Sequence, residues 1–380
     1  MIKGGIMKYS VLTSDFSSVV FSLLSAVTAK TSDEIVSGIF IKSLGNDSIE
    51  LRAYNFEFCI HKRIEAQVDE EGEILVNAKL LAESLRRFRN DITKIETDEN
   101  NNIIINNGRT NIKCSGLNAK EFPESFIVDE EKKVSVQIKG EDFKNLISSV
   151  SYATMQGGAN IVYGGVKVEV KDKKIIFAAV DGFRLAIKKS SIESGEEFSF
   201  ICPVRTLNEV AKFIKDEEDI VEIINDGKNI LFKINDFDIY GTLIASEFID
   251  YEKIIPLGKQ DEVTSATVNV GSFINSVETA GIVVQERTKE AIRLSVSGTV
   301  GELSSASLIG KTQSGVEESF SEVSEDFEIG FNEKYMVDAL KAIDEENVVI
   351  HFFGAVTSMV ITPVEGDDYL HLLLPIRLTK

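Results

Sequence analysis

The chain has 380 residues, a hydrophobic content of 43% and a formal net charge of −20. That length accommodates two to three domains, each large enough to bury its own core. No apolar run reaches the ~18 residues that a membrane-spanning helix needs, and residues 1–6, which precede the repeat pattern described next, lack the long apolar region of a secretory signal.

The predicted elements recur three times along the chain. Each unit opens with a short strand, a helix start and a phenylalanine, and these three phenylalanines lie 127 and 130 residues apart: Phe16, Phe143 and Phe273. A second landmark follows them after 61, 60 and 59 residues: Asn77, Pro203 and Asn332. Because two independent landmarks keep one period, the sequence predicts three homologous domains, over residues 1–129, 130–257 and 258–380.

Each unit is predicted to contain two helices. The first follows the phenylalanine and has its apolar residues at helical spacing, with Ser14, Asp142 and Ser272 as predicted cap residues. The second helix covers roughly 77–90, 203–215 and 332–343 in the three units. Short alternating strands lie between the helices, and Asn107-Gly108 and Asp226-Gly227 predict hairpin turns. The predicted fold class is α+β, with two helices packed on antiparallel sheet in each domain.

Positive charge is concentrated on the three second helices. They carry nine basic residues: Lys79, Arg86, Arg87, Arg89, Arg205, Lys212, Lys215, Lys334 and Lys341. Against these stand four acids, so the helices are net +5 in a chain of net charge −20, whose acids cluster in turns. One interpretation is a solvated outer face on each helix. Recurrence in all three units favours a shared surface that binds an anionic partner.

Catalytic motifs are missing from the sequence. It contains no phosphate-binding loop, no Gly-x-Ser-x-Gly, no His-Glu-x-x-His and no Cys-x-x-Cys. His61, His351 and His371 each stand alone in a strand-like run. Cysteine also occurs three times, at Cys59, Cys114 and Cys202, without metal-binding or redox spacing, and a reducing cytoplasm is the simplest location. The sequence therefore contains no recognisable catalytic signal.

Five segments carry a family resemblance. Val180-Asp181-Gly182-Phe183-Arg184-Leu185 resembles the "T-D-x-x-R-L" motif of bacterial sliding clamps, the DNA polymerase III beta subunit family. The carboxyl-terminal Leu374-Pro375-Ile376-Arg377-Leu378 is similar to the family's "M-P-[MV]-R-L". Residues 247–256, 331–335 and 121–123 are similar to its "FPDYxxxxP", "FNxxY" and "DFP" segments. The motifs occur in family order, and the resemblance covers essentially all of residues 7–378.

The resemblance implies an architecture and a set of partners. Two chains would form a head-to-tail homodimer, a ring of six domains whose twelve helices surround double-stranded DNA without sequence specificity. The ring would act as a processivity factor that tethers the replicative polymerase. Its partners would be the DNA polymerase III alpha subunit, the clamp loader and other proteins with clamp-binding motifs. The family is not catalytic and uses neither a cofactor nor a metal, and no membrane is involved.

The resemblance also assigns surfaces to residues. The nine bases would face DNA, and the dimer interface would contain Ile112 and Cys114 from the first domain and Ile282 and Val283 from the third. A hydrophobic cleft that binds partner peptides would comprise Val180, Gly182, Phe183, Arg184, Leu185, Lys253, Ile254, Asn332, Tyr335, Val356, Ser358, Leu372, Leu373, Leu374, Pro375, Ile376, Arg377 and Leu378. Short peptides with Leu and Phe anchors would fill it, and Arg184 or Arg377 would orient their polar ends.

Several positions depart from the family pattern. The cleft has Ile249 in place of a proline, Lys253 in place of an arginine and Val180 in place of a threonine. Lys289 replaces an aromatic residue, and the loop at residues 30–35 has acids where the family has Arg and Pro. Peptide specificity, partner affinity and ring stability therefore stay open. Two other interpretations remain: a clamp paralogue outside the main replicase, and a ring-forming scaffold that binds only proteins.

Overall fold

The computed structural model describes residues 6–28, 31, 33–117, 119–123, 128–155, 157, 160–193, 196–284, 291–323 and 325–378. Lys289, together with Lys30 and Ser32 of the acidic loop, lies outside these residues. Two compact units are present, one of Met1–Glu141 with Arg205–Leu243 and one of Asp142–Val204 with Ile244–Lys380. We call them unit 1 and unit 2. The middle repeat of the sequence is divided between them.

The three repeats share one order of elements, except that the first adds a short helix (Glu34–Ser37) and a short strand (Gln67–Glu70). The first contains β1 (Lys8–Leu12), α1 (Thr13–Leu23), α2 (Glu34–Ser37), β2 (Gly38–Ser43), β3 (Ser48–Tyr54), β4 (Phe58–Glu65), β5 (Gln67–Glu70), β6 (Glu73–Asn77), α3 (Ala78–Arg87), β7 (Ile92–Thr97), β8 (Asn102–Asn107) and β9 (Thr110–Ser115). The second contains β10 (Val134–Lys139), α4 (Gly140–Ser151), β11 (Gly165–Lys171), β12 (Lys174–Val180), β13 (Arg184–Ser191), β14 (Phe198–Pro203), α5 (Val204–Phe213), β15 (Ile220–Asn225), β16 (Asn229–Ile234) and β17 (Phe237–Thr242).

A four-residue helix, α6 (Tyr251–Ile254), leads into the third repeat. That repeat contains β18 (Thr264–Asn269), α7 (Val270–Gly281), β19 (Ile292–Ser297), β20 (Val300–Ala306), β21 (Lys311–Gly315), β22 (Phe327–Phe331), α8 (Glu333–Lys341), β23 (Asn347–Phe352), β24 (Met359–Pro363) and β25 (Tyr369–Leu373). Short 3-10 turns lie at Leu24–Ala26, Ala119–Glu121 and Ile161–Gly164. The predicted α+β class and the two longer helices of each repeat are confirmed.

Among the described residues, all strand pairs are antiparallel and form four sheets. Unit 1 has a five-stranded sheet of order β5-β1-β7-β8-β9 and an eight-stranded sheet of order β10-β15-β16-β17-β4-β3-β2-β6. Unit 2 has an eight-stranded sheet of order β14-β11-β12-β13-β25-β24-β23-β18 and a four-stranded sheet of order β21-β20-β19-β22. Each eight-stranded sheet therefore joins four strands of one repeat to four strands of the next, through β17 with β4 and through β13 with β25.

The sequence landmarks have structural reasons. Phe16, Phe143 and Phe273 are fully buried at the first helix of each repeat, where loss of the ring would leave a large cavity. The second landmark includes caps: the Asn77 side chain accepts the Leu80 N–H at 3.0 Å, and that of Asn332 accepts the Tyr335 N–H at 3.1 Å. Both asparagines satisfy a backbone donor that the helix leaves free.

The predicted caps of the first helices are wrong. α1, α4 and α7 begin at Thr13, Gly140 and Val270, before Ser14, Asp142 and Ser272. In α7 the cap is Asn269, whose side chain accepts the Ser272 N–H at 3.0 Å. Each strand continues into its helix without an intervening loop, so the start lies closer to the strand than cap preference alone indicates.

Candidate functional site

All eighteen residues of the predicted cleft lie in unit 2. Their centre is the tight turn between β12 and β13, at Asp181, Gly182 and Phe183. The Asp181 carboxylate accepts the N–H groups of Phe183 and Arg184 at 2.9 and 3.0 Å. Gly182 has φ of +90°, a left-handed conformation that a residue with a Cβ adopts only with strain. This Asx turn exposes half of the Phe183 side chain.

Arg184 is buried, and its guanidinium is bonded within the chain. Nε donates to Asp181 at 2.9 Å, Nη1 to Asp338 on α8 at 2.7 Å, and Nη2 to the Tyr152 carbonyl at 2.6 Å. Burial acts to lower the pKa of Arg184, but its hydrogen bonds to Asp338 and Asp181 outweigh burial, and the pKa is raised. The sequence predicted that Arg184 or Arg377 would orient the polar ends of a bound peptide, whereas in the structure all three Arg184 nitrogens donate within the chain.

Four other predicted cleft residues also have buried side chains: Val180, Leu185, Leu372 and Leu373. Of these, Val180, Leu185 and Leu372 belong to one apolar cluster that includes Tyr251 of α6. Leu373 belongs to the main core of the third repeat. These four side chains are buried in the single chain, and the assignment of all eighteen residues to a peptide-binding cleft stays a prediction.

The exposed part of the cleft is apolar. Phe183, Ile254, Val356 and Leu374 each leave 40% or more of their surface accessible. The ring of Tyr335 lies 6.0 Å from that of Phe183, centroid to centroid. Single exposed apolar residues are ordinary, but an aromatic pair beside exposed aliphatic side chains is typical of an interaction site. Ser358 and Asn332 are half-buried, and the Asn332 side chain is engaged as the α8 cap.

The carboxyl-terminal segment runs from the turn to the edge of the four-stranded sheet. The Leu374 N–H donates to the Phe183 carbonyl at 2.9 Å, and the Ile376 N–H donates to the Gly330 carbonyl of β22 at 2.7 Å. A Cβ on Gly330 would lie 2.6 Å from the Ile376 carbonyl oxygen, so only glycine allows this approach. Arg377 is exposed, while Pro375, Ile376 and Leu378 are half-buried.

Two of the departures from the family pattern are on the surface. Ile249 is exposed, and Lys253 is exposed with its ammonium 2.8 Å from the Asp250 carboxylate. A solvated pair of this kind contributes little to stability, so Lys253 remains able to exchange Asp250 for a ligand carboxylate.

The nine predicted DNA-facing bases are all exposed. The second helices are shorter than predicted, because they cover Ala78–Arg87, Val204–Phe213 and Glu333–Lys341. Arg89 and Lys215 therefore lie beyond the ends of their helices. Arg89 donates to the carbonyls of Arg86 and Phe88 at 3.4 and 3.1 Å, which closes the end of α3.

Five of these bases are paired with acids. Arg86 and Arg87 approach Glu83 at 2.8 and 4.0 Å, and Lys212 approaches Glu209 at 2.8 Å. Two acids come from outside the second helices and were missed in the sequence: Glu57 lies 2.9 Å from Arg205, and Glu278 lies 2.9 Å from Lys341. The net charge of +5 on the helices alone thus overstates the positive potential of this surface. Exposed ion pairs are weak and exchange readily for other anions.

Two of the predicted dimer residues lie on a sheet edge, and the other two follow a helix whose end is close to another sheet edge. Ile112 and Cys114 share one face of β9, the edge strand of the five-stranded sheet in unit 1, and both are half-buried. Ile282 and Val283 follow the last residue of α7 in unit 2, where Ile282 is 71% exposed. Val283 lies beside Gly310, just before the edge strand β21. Edge strands with unpaired backbone groups are ready to pair with another chain.

Among the described residues, no cluster of three or more His, Cys, Asp or Glu side chains has an arrangement that would hold a metal ion. Within the same part of the chain, no helix is both long and apolar enough to cross a membrane.

Comparison with known proteins identifies the same family over the whole chain. Residues 7–126, 137–250 and 252–377 match the family models for the N-terminal, central and C-terminal domains of the DNA polymerase III beta subunit. The chain is 26% identical to the beta sliding clamp of Staphylococcus epidermidis and 25% identical to that of Staphylococcus aureus, over 98% of this chain and 99% of each relative.

Solved structures share the fold. The DNA polymerase sliding clamp of Bacillus subtilis superposes with a TM-score of 0.90 at 24% identity, covering 98% of this chain and 100% of that one. A putative DNA polymerase III beta subunit from Eubacterium rectale gives the same TM-score and identity, covering 97% and 99%. Three consecutive domain matches in family order and relatives that match along their full length leave one assignment. The chain belongs to the bacterial DNA polymerase III beta subunit family, the non-catalytic beta sliding clamps.

Proposed function

We propose that this processivity factor for DNA polymerase III works as a head-to-tail homodimeric ring that encloses duplex DNA in the cytoplasm. Three domains per chain, with proposed boundaries after residues 129 and 257, give six domains in the ring. The cleft would hold peptide segments of the polymerase alpha subunit, the clamp loader and other proteins with clamp-binding motifs.

The proposal of a ring rests on the pattern of sheet edges. The strands of the second and third repeats form two groups of four, and those of the first repeat form one group of four and one of five. The edge strand of one group pairs with the edge strand of a group in the next repeat: β4 with β17, and β13 with β25. The corresponding edges of the first and third repeats are β9 and β21. Pairing of β9 with β21 of a second copy would repeat the same antiparallel junction. Two such contacts close a dimer.

The exposed bases suit an enclosed duplex. Contacts to phosphates carry no sequence information and release counterions, so they support sliding. The weak ion pairs at Glu57, Glu83, Glu209 and Glu278 would exchange for phosphates as the DNA moves. The excess of acid elsewhere in the chain, at a net charge of −20, would keep DNA away from other surfaces.

Encirclement is tested by changing only the topology of the DNA. The protein is assembled on nicked circular plasmid, half of the sample is then cut once with a restriction enzyme, and both halves are passed over a gel-filtration column at rising salt. We expect the protein to stay on circular DNA as the salt concentration rises, and to slide off the ends of linear DNA. Bulky blocks at both ends of the linear DNA should restore retention. If circular and linear DNA lose protein equally as the salt concentration rises, the binding is ordinary electrostatic attraction and not encirclement.

The charged surface is tested separately by charge reversal. Changing Arg86, Arg87, Arg205, Lys212 and Lys341 to Glu should reduce loading at least ~10-fold near 0.15 M salt, because several phosphate contacts become repulsive. The matched control reverses five exposed lysines away from the second helices: Lys94, Lys132, Lys171, Lys173 and Lys228. The two variants have the same net charge. If both load equally poorly, total charge rather than this surface governs binding.

A further inference from the structure

Arg184 connects three separate elements of unit 2. Its guanidinium donates to Asp181 in the turn after β12, to Asp338 on α8 and to the carbonyl of Tyr152, which follows α4. Asp338 belongs to the third repeat, whereas Arg184, Asp181 and Tyr152 belong to the second. A planar guanidinium with donors in a fixed fork constrains the distance and the orientation of all its acceptors.

Two aromatic rings pack against the guanidinium. It lies between two aromatic rings, with its central carbon 5.0 Å from the centroid of Tyr152 and 4.5 Å from that of Tyr335. Tyr152 is itself held by a 2.6 Å hydrogen bond between its hydroxyl and Nδ1 of His371 on β25. Burial lowers the pKa of His371 to about 3, so this ring is neutral at pH 7. The Arg184 guanidinium, the two tyrosine rings and the acceptors of its hydrogen bonds thus form one packed group.

The cleft depends on this group through Asp181. One oxygen of its carboxylate accepts Nε of Arg184, and the other accepts the N–H groups of Phe183 and Arg184. Phe183 is the half-exposed aromatic of the cleft, and its carbonyl accepts the Leu374 N–H. A shift of Arg184 would therefore move Phe183 and Leu374, two exposed side chains of the site.

The first repeat shows that the turn itself needs no arginine. In the turn between β3 and β4, the Asn55 side chain accepts the N–H groups of Glu57 and Phe58 at 3.1 and 3.0 Å, the same pattern as at Asp181. Phe56 has φ of +71°, as Gly182 has +90°. Phe58 occupies the place of Arg184 and is buried. The arginine is thus an addition to an Asx turn that already forms without it.

We propose that Arg184 is a positioning residue for peptide binding, which holds the Asp181 turn against α8 through Asp338 and so fixes Phe183 and Leu374 in the cleft. The inference rests on the proposed function of the cleft. A positioning role differs from a role in stability alone. It requires the charged, forked contact between Arg184 and Asp338, whereas stability requires only that a side chain fills the volume of Arg184.

Three variants separate these roles: Arg184→Lys, Asp338→Asn and the apolar pair Arg184→Met with Asp338→Leu. Lysine keeps the charge but lacks the planar fork whose separate nitrogens reach the three acceptors, and asparagine removes the partner charge. The apolar pair is combined with Asp181→Asn, which keeps the acceptor that Asn55 provides in the first repeat and leaves no buried carboxylate without a cation. Removal of every charge of a buried ion-pair group often restores stability. The matched control is Glu50→Gln in unit 1, where buried Glu50 lies 2.6 Å from Arg52 and 3.1 Å from His61.

Two measurements are made on the full chain: the affinity for a synthetic Gln-Leu-Ser-Leu-Phe peptide and amide hydrogen exchange at Phe183 and Leu374. Arg184→Lys and Asp338→Asn should weaken binding ~10-fold or more and speed both exchanges, where tenfold corresponds to about 1.4 kcal/mol. Glu50→Gln should lower the melting temperature and leave both readouts unchanged. The apolar pair should recover the melting temperature without recovering affinity.

Two results would overturn the inference. One is wild-type affinity and exchange in folded Arg184→Lys and Asp338→Asn. The other is an apolar pair in which peptide affinity and the wild-type exchange rates return together with stability. That result would mean that Arg184 acts only by filling space. If the wild-type chain itself fails to bind the peptide, the proposed function of the cleft is wrong, and exchange at Phe183 and Leu374 still decides whether Arg184 positions the turn.

Discussion

Ile282→Asp combined with Val283→Asp should convert the dimer into a folded monomer that is not retained on circular DNA. Each change replaces an apolar side chain of the proposed interface by a carboxylate, which loses about 1.5–3 kcal/mol of burial and adds a desolvation cost. A combined loss above about 4 kcal/mol raises the dissociation constant ~10³-fold at each of the two contacts. Sedimentation equilibrium across a range of protein concentrations measures this directly.

The monomer should keep its fold, because Ile282 is 71% exposed in the single chain and surface substitutions change stability by about 0.5 kcal/mol or less. The control is Val263→Asp with Val364→Asp, two other exposed valines of unit 2. It adds the same charge and should remain dimeric. A double variant at Ile282 and Val283 that stays dimeric would mean that the ring closes through a different surface.

The sequence predicted the parts of this fold that depend on local pattern. Phe16, Phe143 and Phe273 marked the repeats because each is buried in an equivalent place. Asn107-Gly108 and Asp226-Gly227 lie at hairpins, as expected. Helix ends were less predictable, as the start of α7 at Val270 shows, because several residues near a terminus compete for the same free backbone donors.

Contacts between distant residues had no sequence signal. Asp338 follows Arg184 by 154 residues, and Glu57 precedes Arg205 by 148, so neither spacing points to an ion pair. Alternation within β13 and β25 predicts two strands but not that one pairs with the other across a repeat boundary. For this reason the family motifs indicate which segments form the predicted cleft, but nothing in the sequence shows that Arg184 is buried.

Removal of residues 374–380 should abolish binding of the Gln-Leu-Ser-Leu-Phe peptide while the chain stays folded and dimeric. The deletion takes away Leu374, which is 43% exposed beside Phe183, and the half-buried segment that ends at Leu378. It leaves intact the buried layer of Val180, Leu185 and Leu372. We expect a loss of affinity of at least ~100-fold, or about 2.7 kcal/mol, because the main contacts at an interface are concentrated in a few side chains.

The control deletes only residues 379 and 380, so the two truncations differ by residues 374–378 alone. Loss of two backbone hydrogen bonds, from Leu374 to Phe183 and from Ile376 to Gly330, should cost about 1–3 kcal/mol of stability, too little to unfold the chain. The single substitution Leu374→Asp gives an independent check, since it keeps the backbone and places a charge where an apolar anchor would dock. Because β21 and the end of α7 lie outside the deletion, sedimentation should still report a dimer. If the truncated dimer binds the peptide as tightly as the intact chain does, residues 374–378 are not part of the binding site. Phe183, Ile254 and Val356 would then be the exposed apolar residues that define it.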